Sequence, residues 1–325
     1  MALVLTESDV KRVLNMRDGI RLVEEGFRHY ASGRTTLAPR LVMKLEGDAG
    51  NFRIMAAIVP DMGGFGLKTL TGTPGKRDPA STYFAVLFFD VTSGALLAVL
   101  PGTHLTGIRT GAASGVATQF LARKDAKTLG LFGAGFQGRH QLAAIREVRP
   151  IERVKIFDVD PVAARELAET VSSAGLEAIV TSSPQETARG SDVLASATTA
   201  KEPPIRATWL EPGQHINAAG ANAPFKREVD SETFARARVV VDFREQALQE
   251  AGDLIEALKT GAFDQNRIHA ELGDVVTGAR PGRETEDQIT LFKSVGVAIE
   301  DVAVAAFVYE RARAEGLGTD VDLQS

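Results

Sequence analysis

The chain changes character near Lys127, where short apolar runs begin to alternate with helical stretches. The runs TLGLFG, RVKIFD, AIV, DVLASA, HINAAG and RVVVDF are separated by segments such as PVAARELAETVSSAG. Strands that alternate with helices pair in parallel, because each helix carries the chain back to the starting end of the sheet. The alternation therefore predicts an α/β fold, a Rossmann-type doubly wound parallel sheet, over residues 123–293.

A G-x-G-x-x-G motif stands between the first of these strands and the helix that follows it. Gly133 permits the tight turn, Gly135 allows the backbone to approach a pyrophosphate, and Gly138 allows the helix to pack close to the strand. The first N–H groups of such a helix bind phosphates. We predict that the whole turn binds a dinucleotide, through Gly133, Ala134, Gly135, Phe136, Gln137 and Gly138.

Asp158 ends the next strand, 20 residues beyond Gly138. A carboxylate at this position accepts hydrogen bonds from the adenosine ribose hydroxyls and repels a 2′-phosphate. The motif therefore predicts NAD rather than NADP as the cofactor. Asp160 is close enough in sequence to share this role.

The first third of the chain predicts a different kind of sheet. After a helix with a capping box at Thr6 and Asp9, the runs RLVMKL, NFRIMAAIVP, GFGLKTL, TYFAVLFFD and ALLAVLP follow one another without helices. Consecutive strands form an antiparallel or mixed sheet, and VTSG between the last two indicates a hairpin. We expect the final helix, SVGVAIEDVAVAAFVYERARAEG, to return to this sheet. The prediction is a discontinuous α+β domain of residues 1–122 and 294–325.

Three cations of this first third have neighbours that are unusual for solvated side chains. Arg40 follows a proline just before a strand, Lys68 lies within an apolar strand, and Arg109 lies on a helix rich in Gly, Ala and Thr. An arginine can bind a carboxylate through two parallel hydrogen bonds, and a lysine in an apolar wall can polarise a carbonyl or imine. A structural role for each cation is the alternative.

The loop in HINAAGANAPFKRE is a candidate wall of the active site. In the usual 3-2-1-4-5-6 strand order HINAAG is the fifth strand, so residues 220–226 emerge at the same rim as the glycine motif, beside the expected nicotinamide. The loop carries Asn222 and Lys226. An asparagine can form hydrogen bonds but cannot act as a base near neutral pH. The alternative is that Asn222 supports a positive φ in the turn.

Composition excludes several classes of function. The chain has no cysteine, and its five histidines lack the spacing of metal ligands, so we expect no metal site. The net charge of −5, with both signs interspersed, predicts no binding to nucleic acid or to an anionic membrane. The first residues lack the basic start of a signal peptide, and no apolar run approaches the roughly 20 residues of a membrane span. We expect a cytoplasmic protein.

Six sequence blocks together resemble one protein family. In chain order they are APR, GLKTLTG, TGIRTGAASGVAT, LFGAGFQGRHQ, HINAAGANAP.K.E and SVGVAIEDVA. This arrangement is similar to the ornithine cyclodeaminase/mu-crystallin family over nearly the whole chain. The resemblance implies a substrate-binding and dimerisation domain, completed by the C-terminal helix and joined to a Rossmann domain, and it implies a homodimer.

The resemblance also implies roles for individual residues. Arg40 and Arg109 would hold the α-carboxylate of a substrate, and Lys68 would contact that carboxylate or the reacting amine or imine. Met55 and Thr82 would line the pocket. Ser294 would lie near the nicotinamide carboxamide, and the predicted cofactor contacts are completed by Thr198, Gly220 and Lys226. Lys68 and Asn222 are the candidate catalytic residues.

The sequence departs from the resemblance at position 222. The family's ornithine cyclodeaminases and archaeal-type alanine dehydrogenases carry an aspartate where this chain has Asn222. The leading hypothesis is an NAD(H)-dependent oxidoreductase acting on the C–N bond of a small α-amino or α-imino acid, as alanine dehydrogenases and pyrroline-2-carboxylate (cyclic ketimine) reductases do. One alternative is an ornithine cyclodeaminase, which releases ammonia and gives proline. The other is a non-catalytic, crystallin-like binding protein, against which the intact set of cations argues.

Overall fold

The computed structural model describes residues 1–44, 50–72 and 82–323. The chain divides into two compact units, one of them discontinuous. The discontinuous unit comprises Met1–Arg109 and Val297–Ser325, and the central unit comprises Thr110–Gly296. The sequence prediction placed these boundaries after residues 122 and 293.

The elements follow one another in three stretches of the chain. The first contains β1 (Ala2–Val4), α1 (Glu7–Val13), α2 (Met16–Ala31), β2 (Thr36–Leu37), β3 (Leu41–Lys44), β4 (Asn51–Val59), β5 (Gly64–Gly72), β6 (Thr82–Asp90), β7 (Leu96–Pro101) and α3 (Thr103–Leu121). The second contains β8 (Thr128–Phe132), α4 (Phe136–Val148), β9 (Arg153–Phe157), α5 (Pro161–Ser173), β10 (Glu177–Val180), α6 (Pro184–Ala188), β11 (Val193–Ser196), β12 (His215–Ala218), α7 (Ser231–Arg236), β13 (Arg238–Val241), α8 (Arg244–Glu250), α9 (Gly252–Lys259), β14 (Ile268–Glu271), α10 (Leu272–Thr277) and β15 (Thr290–Lys293). The third contains α11 (Ala298–Glu315) and β16 (Thr319–Val321).

The sheet of the discontinuous unit is mixed, as the run of consecutive strands predicts. Its order is β16-β1-β7-β6-β5-β4-β2, with β3 also paired to β4. The neighbours from β4 to β7 are antiparallel, including the predicted hairpin of β6 and β7, whereas β1 is parallel to β7. Helix α11 packs on β4, β5 and β6 and on α2. The predicted capping box of α1 is present, with Thr6 N donating to Asp9 Oδ2 at 2.8 Å.

The sheet of the central unit is parallel, and its order is β10-β9-β8-β11-β12-β15-β13-β14. The first five strands have the predicted 3-2-1-4-5 order. Beyond β12 the sequence reading missed β15 and β14, the runs TLFK and IHAE. Four-residue runs beside polar loops carry little periodicity, and the burial of β15 comes from its neighbours β12 and β13. The final helix also begins at Ala298 rather than at Ser294, because residues 294–297 form a loop.

The C-terminal end of α3 is capped by a buried guanidinium group. Arg149 donates to the carbonyl oxygens of Thr118 (2.7 Å), Gln119 (3.0 Å), Ala122 (3.0 Å) and Arg123 (2.7 Å). The last carbonyls of a helix have no partner within the helix, and cations are favourable at its negative end. Burial lowers the pKa of Arg149 below its ordinary value. The cap therefore anchors the end of α3 within the central unit.

Candidate functional site

The glycine turn after β8 has the geometry of a phosphate-binding turn. Gly133 has φ of +97°, which favours glycine. A Cβ atom on Gly138 would lie 1.9 Å from the carbonyl oxygen of Gly133, so a side chain there would push the helix away from the strand. Beside Gly135, the first residue flanking α4, a Cβ would meet nothing within 4 Å. The turn is closed where helix and strand meet and open at the helix N-terminus, where a pyrophosphate fits.

The two aspartates after β9 have different partners. Asp158 accepts from the backbone N–H of Ala134 at 2.7 Å, which brings its carboxylate against the glycine turn. Asp160 caps α5 by accepting from the N–H groups of Val162 (2.9 Å) and Ala163 (3.4 Å). Asp158 Oδ1 also accepts from the backbone N–H of Asp160 at 2.9 Å. Asp158 thus lies against the glycine turn while Asp160 caps a helix, and a contact of either carboxylate with a ribose stays a prediction.

Glu228 joins the loops that follow two neighbouring parallel strands. Its Oε1 accepts from Ser196 Oγ (2.6 Å), Thr198 N (2.7 Å) and Thr198 Oγ1 (3.2 Å), at the end of β11. Its Oε2 accepts from the N–H groups of Gly220 and Ala221, after β12. The side chain is wholly buried. The sequence block HINAAGANAP.K.E contains this glutamate, but sequence reasoning assigned it no role.

The charge state of Glu228 follows from these contacts. Burial, with the nearby Asp253, raises the pKa of its carboxyl group above the ordinary value, and the ammonium of Lys293 and the donors from Ser196 and Thr198 offset only part of this rise. Five donors occupy both oxygens, so a proton on either oxygen would displace a donor. The carboxylate form is therefore the one that holds both loops. The same contacts explain Gly220, because a Cβ there would lie 2.3 Å from Thr198 O and 2.5 Å from Glu228 Oε1.

Lys293 is a buried cation that sequence reasoning also missed. It ends β15, donates to Ala218 O at 3.2 Å, and lies 3.3 Å from Asp253 Oδ2. Asp253 Oδ2 in turn accepts from the backbone N–H of Glu228 at 3.4 Å. A lone buried charge is costly, so these groups stabilise one another only as a set. Through Lys293 and Ala218, this group of contacts joins the end of β15 to the end of β12.

The contact between Asn222 and Lys226 orients the asparagine amide. Lys226 Nζ lies 2.9 Å from Asn222 Oδ1 and 3.4 Å from the carbonyl oxygen of Gly220. An ammonium group is a donor only, so the amide oxygen must face it and the amide NH₂ must point away. Asn222 thus helps to shape the loop through its side chain and presents donors on its other side. An action of this amide on a substrate stays a prediction.

Ser294 lies in a loop held by a buried carboxylate. Asp242 Oδ2 accepts from Ser294 Oγ (3.0 Å), Val295 N (2.7 Å) and Gly296 N (2.8 Å). A hydroxyl has a single proton, and Ser294 gives it to Asp242. Toward any further group Ser294 therefore presents its lone pairs, which can accept from a carboxamide N–H.

In the discontinuous unit, Lys68 and Arg109 lie close together and contact carboxylates of α11. Lys68 is 1% exposed, and its Nζ donates to Asp301 Oδ1 at 2.7 Å. Arg109 donates to Glu300 Oε2 at 2.7 Å, and its Nε lies 3.0 Å from Asp301 Oδ1. Burial and the neighbouring Arg109 lower the pKa of Lys68 to about 7, whereas Asp301 raises it. The lysine can therefore change its charge near neutral pH.

Three further predicted residues lie at different distances from Lys68. Arg40 is half-buried and close enough for its charge to lower the pKa of Lys68. Met55 is buried directly opposite Lys68 in the pairing of β4 with β5, so both side chains are on one face. Thr82 lies four residues along β6 from Val86, the partner of Lys68, or roughly 13 Å away. Arg40 and Met55 are thus brought to the lysine, and Thr82 is not.

Sequence reasoning missed both carboxylates of this cluster. Glu300 and Asp301 belong to the block SVGVAIEDVA, which was interpreted as the start of an apolar helix. Two adjacent acids in an apolar helix were the available signal, because carboxylates are rarely buried without a partner. Among residues 1–44, 50–72 and 82–323, no group of three or more His, Cys, Asp or Glu could hold a metal ion. In the same residues, no helix is long and apolar enough to cross a membrane.

Known proteins resemble this chain over nearly its whole length. The model of the ornithine cyclodeaminase/mu-crystallin family matches residues 1–316. An alanine dehydrogenase of Archaeoglobus fulgidus is 38% identical over 321 residues, 98% of either chain. A Thermococcus litoralis Delta(1)-pyrroline-2-carboxylate reductase, solved with NADH and L-proline, has a TM-score of 0.95 and 40% identity, covering 98% of this chain and 100% of that one. An archaeal alanine dehydrogenase dimer with bound NAD has a TM-score of 0.94 and 37% identity, covering 99% of each chain.

A substitution of Glu228 tests whether its carboxylate holds the two loops together. Glutamine has the same size but places an NH₂ group against donors that now face an oxygen. We expect E228Q to lower the free energy of unfolding by about 3 kcal/mol. Hydrogen exchange at the N–H groups of Gly220 and Ala221 should become faster. Urea denaturation and exchange measured by NMR give the two results.

The matched control is E232Q, which changes an exposed glutamate of α7. This variant should unfold at the wild-type urea concentration and leave exchange in the 220–221 loop unchanged. Equal urea midpoints for E228Q and the wild-type chain would contradict the role of Glu228.

Proposed function

The chain belongs to the ornithine cyclodeaminase/mu-crystallin family, and from that premise we propose that it is an NAD(H)-dependent oxidoreductase. Its substrate is a small α-amino or α-imino acid, and the reaction takes place at the C–N bond. The proposal is supported by relatives named as an alanine dehydrogenase and a pyrroline-2-carboxylate reductase. The observation that carries it is the buried amine of Lys68, with a pKa of about 7, beside Arg109.

In the proposed substrate site, the cations divide two tasks. Arg40 and Arg109 hold the α-carboxylate, since guanidinium groups bind carboxylates through paired hydrogen bonds. Lys68 faces the reacting nitrogen, and Met55 covers the apolar part of the substrate. Thr82 lies farther along β6 and would reach only a larger substrate. The arrangement orients one small anionic molecule above the face shared by Lys68 and Met55.

Reduction of a C=N bond requires a hydride at carbon and a proton at nitrogen. The nicotinamide, when bound, supplies the hydride in this direction and takes it up in the reverse direction. The Lys68 ammonium supplies the proton or holds it at the nitrogen, which makes the carbon more electrophilic. In the oxidative direction the neutral Lys68 amine accepts that proton. With pyrroline-2-carboxylate the product is proline, and with the imine formed from pyruvate and ammonia it is alanine.

The residues of the central unit fit a bound NAD. The open turn at Gly135 accommodates the pyrophosphate, with Ala134, Phe136 and Gln137 around it, and Asp158 binds the ribose. Further contacts are assigned to the loops held by Glu228 and Asp242, through Thr198, Gly220, Lys226 and Ser294. We propose NAD rather than NADP, because the Asp158 carboxylate repels a 2′-phosphate.

Asn222 favours an oxidoreductase over a cyclodeaminase. Cyclodeamination needs an amino group activated for attack and ammonia expelled, and the relevant position carries an amide that cannot take a proton near neutral pH. Lys226 further occupies the amide oxygen. Imine reduction needs orientation of the substrate rather than a base at this position.

We also propose that the protein is a homodimer formed through the discontinuous unit. Each described residue of β3 is exposed, including the apolar Leu41, Val42 and Met43, and Tyr83 on β6 is 73% exposed. Leu41 and Met43 lie on one face of the sheet and Val42 on the other, and exposed apolar side chains of this kind favour association with another protein. A similar structure is that of an alanine dehydrogenase dimer. The cytoplasmic location stays a prediction.

The substrate class is tested with the purified full-length chain. We expect NADH to be consumed with pyrroline-2-carboxylate, or with pyruvate plus ammonium, and proline or alanine to form in equal amount. Absorbance at the NADH band and amino-acid analysis measure both. Ammonia and proline formed from ornithine at constant NADH would instead identify a cyclodeaminase. Tight NADH binding without turnover of any of these compounds would identify a binding protein.

Asp158 is tested as the source of NAD preference. We expect D158S to raise the ratio of kcat/KM for NADPH to that for NADH by at least about tenfold, through loss of charge repulsion and of the ribose contact. The control D160S removes the same charge two residues away, keeps a side chain that can cap α5, and should keep the wild-type preference. A preference that changes equally in both variants would argue against the assignment of Asp158.

The dimer is tested by introducing a charge into β3. Light scattering on the wild-type chain should give twice the mass of one chain, and V42D should give a substantial fraction of monomer because a buried unpaired carboxylate opposes association. The control V180D places the same charge at the edge strand β10 of the central unit, where Val180 is also exposed. Dissociation by V180D but not by V42D would place the interface elsewhere.

A further inference from the structure

Helix α11 carries two adjacent buried carboxylates with different partners. Glu300 is wholly buried and bonds Arg109, and its Oε1 lies 3.4 Å from the N–H of Val297 at the start of the helix. Asp301 is 1% exposed and bonds Lys68 through Oδ1. Neighbouring positions of a helix point about 100° apart, so Asp301 bonds Lys68 and also approaches Arg109, while Glu300 bonds Arg109.

The surroundings of Lys68 make its charge depend on Asp301. The residues opposite it in β4 and β6 are Met55 and Val86, which are apolar and buried. Burial of an ammonium group in such surroundings favours the neutral amine. The charged groups that act on it from α3 and from the segment before β3 are Arg109 and Arg40, and both oppose a further positive charge.

The negative charge that raises the pKa of Lys68 comes from α11, through Asp301. Asp301 Oδ1 is 2.7 Å from the ammonium, whereas Glu300 bonds the guanidinium of Arg109. Asp301 Oδ1 also lies 3.0 Å from Arg109 Nε, so one oxygen sets the spacing of the two cations. Asp301 Oδ2 is buried and has no hydrogen-bond partner among the described residues.

We propose that Asp301 is the positioning residue that keeps the Lys68 ammonium charged and aimed at the substrate nitrogen, while Glu300 positions Arg109 for the substrate carboxylate. The proposal rests on the proposed function for its kinetic consequences but not for the contact itself. Substitution of the two adjacent acids should therefore separate proton supply from substrate binding. Loss of Asp301 affects the proton on Lys68, and loss of Glu300 affects the affinity for the carboxylate.

The direction of the pH effect follows from the charges. Lys68 has a pKa of about 7, so it is mostly charged below pH 7 and mostly neutral above it. Replacing Asp301 with Asn removes the negative charge that raises this pKa, while burial, Arg109 and Arg40 still lower it. The pKa of Lys68 should therefore fall further. In the direction of imine reduction, kcat/KM declines as the ammonium is lost, so that decline should move to lower pH.

The first experiment measures Lys68 without using activity. Lysine labelled with ¹³C at Cε is incorporated, the Lys68 signal is identified by its absence in K68M, and its shift is followed against pH. We expect D301N to lower the pKa of Lys68 by at least about one unit, and E300Q to lower it by less than about half a unit. An unchanged pKa in D301N, or an equal change in E300Q, would overturn the proposal.

The second experiment measures kinetics in the direction of imine reduction. We expect D301N to move the decline of kcat/KM to lower pH, and E300Q to raise KM for the imino acid at least about fivefold with the decline unmoved. If kcat/KM of D301N declined at the same pH as that of the wild-type chain, the proposal would be contradicted. If the wild-type chain reduces no imine while the NMR shift appears, the proposed function fails and the positioning role stands.

A third measurement keeps the proposal testable if D301N folds poorly. Because the variant leaves a buried amine without its counter-charge, adding K68M should restore part of the lost stability. We expect the urea midpoint of K68M/D301N to be higher than that of D301N. A double variant no more stable than D301N would show that Asp301 does not act through Lys68.

Discussion

The geometry of the central unit depends on the buried carboxylate of Glu228. Parallel strands end at one rim, but nothing in the sheet itself fixes the loops that leave that rim. Glu228 accepts hydrogen bonds from five donors at the end of β11 and just after β11 and β12, so both loops are held by one carboxylate. Asn222 and Lys226 lie in the second of these loops, and they would be placed differently if the loop after Gly220 moved.

Buried carboxylates that each contact several donors occur elsewhere in the chain as well. Asp242 gathers the hydroxyl and N–H groups of residues 294–296, and Asp301 with Glu300 separates two cations in the discontinuous unit. A buried carboxylate is stabilised by the donors and cations around it. Each of these acids therefore forces several donors into one arrangement. One oxygen of Asp301 contacts both Lys68 and Arg109, and this carboxylate raises the pKa of Lys68.

Much of the architecture was predictable because it rests on local patterns. Alternating strands and helices predicted the parallel sheet with its first five strands in the correct order, and consecutive strands predicted the mixed sheet. The glycine motif predicted the turn, since Gly133 and Gly138 are needed for steric reasons that hold in any such turn. The strands β14 and β15 were missed, because each is a four-residue run that adjoins a polar stretch and does not stand out from it as an apolar run.

The sequence by itself determined the class of fold, the family and the residue types available for chemistry, because periodicity, glycine spacing and motif order are properties of the chain. The tertiary structure decided which acid serves which cation: Asp160 caps a helix while Asp158 faces the glycine turn, and Asp301 rather than Glu300 bonds Lys68. The physical reason is distance. Lys68 and Asp301 are 233 residues apart in sequence and 2.7 Å apart in space, and an electrostatic effect on a buried amine depends on the second separation alone.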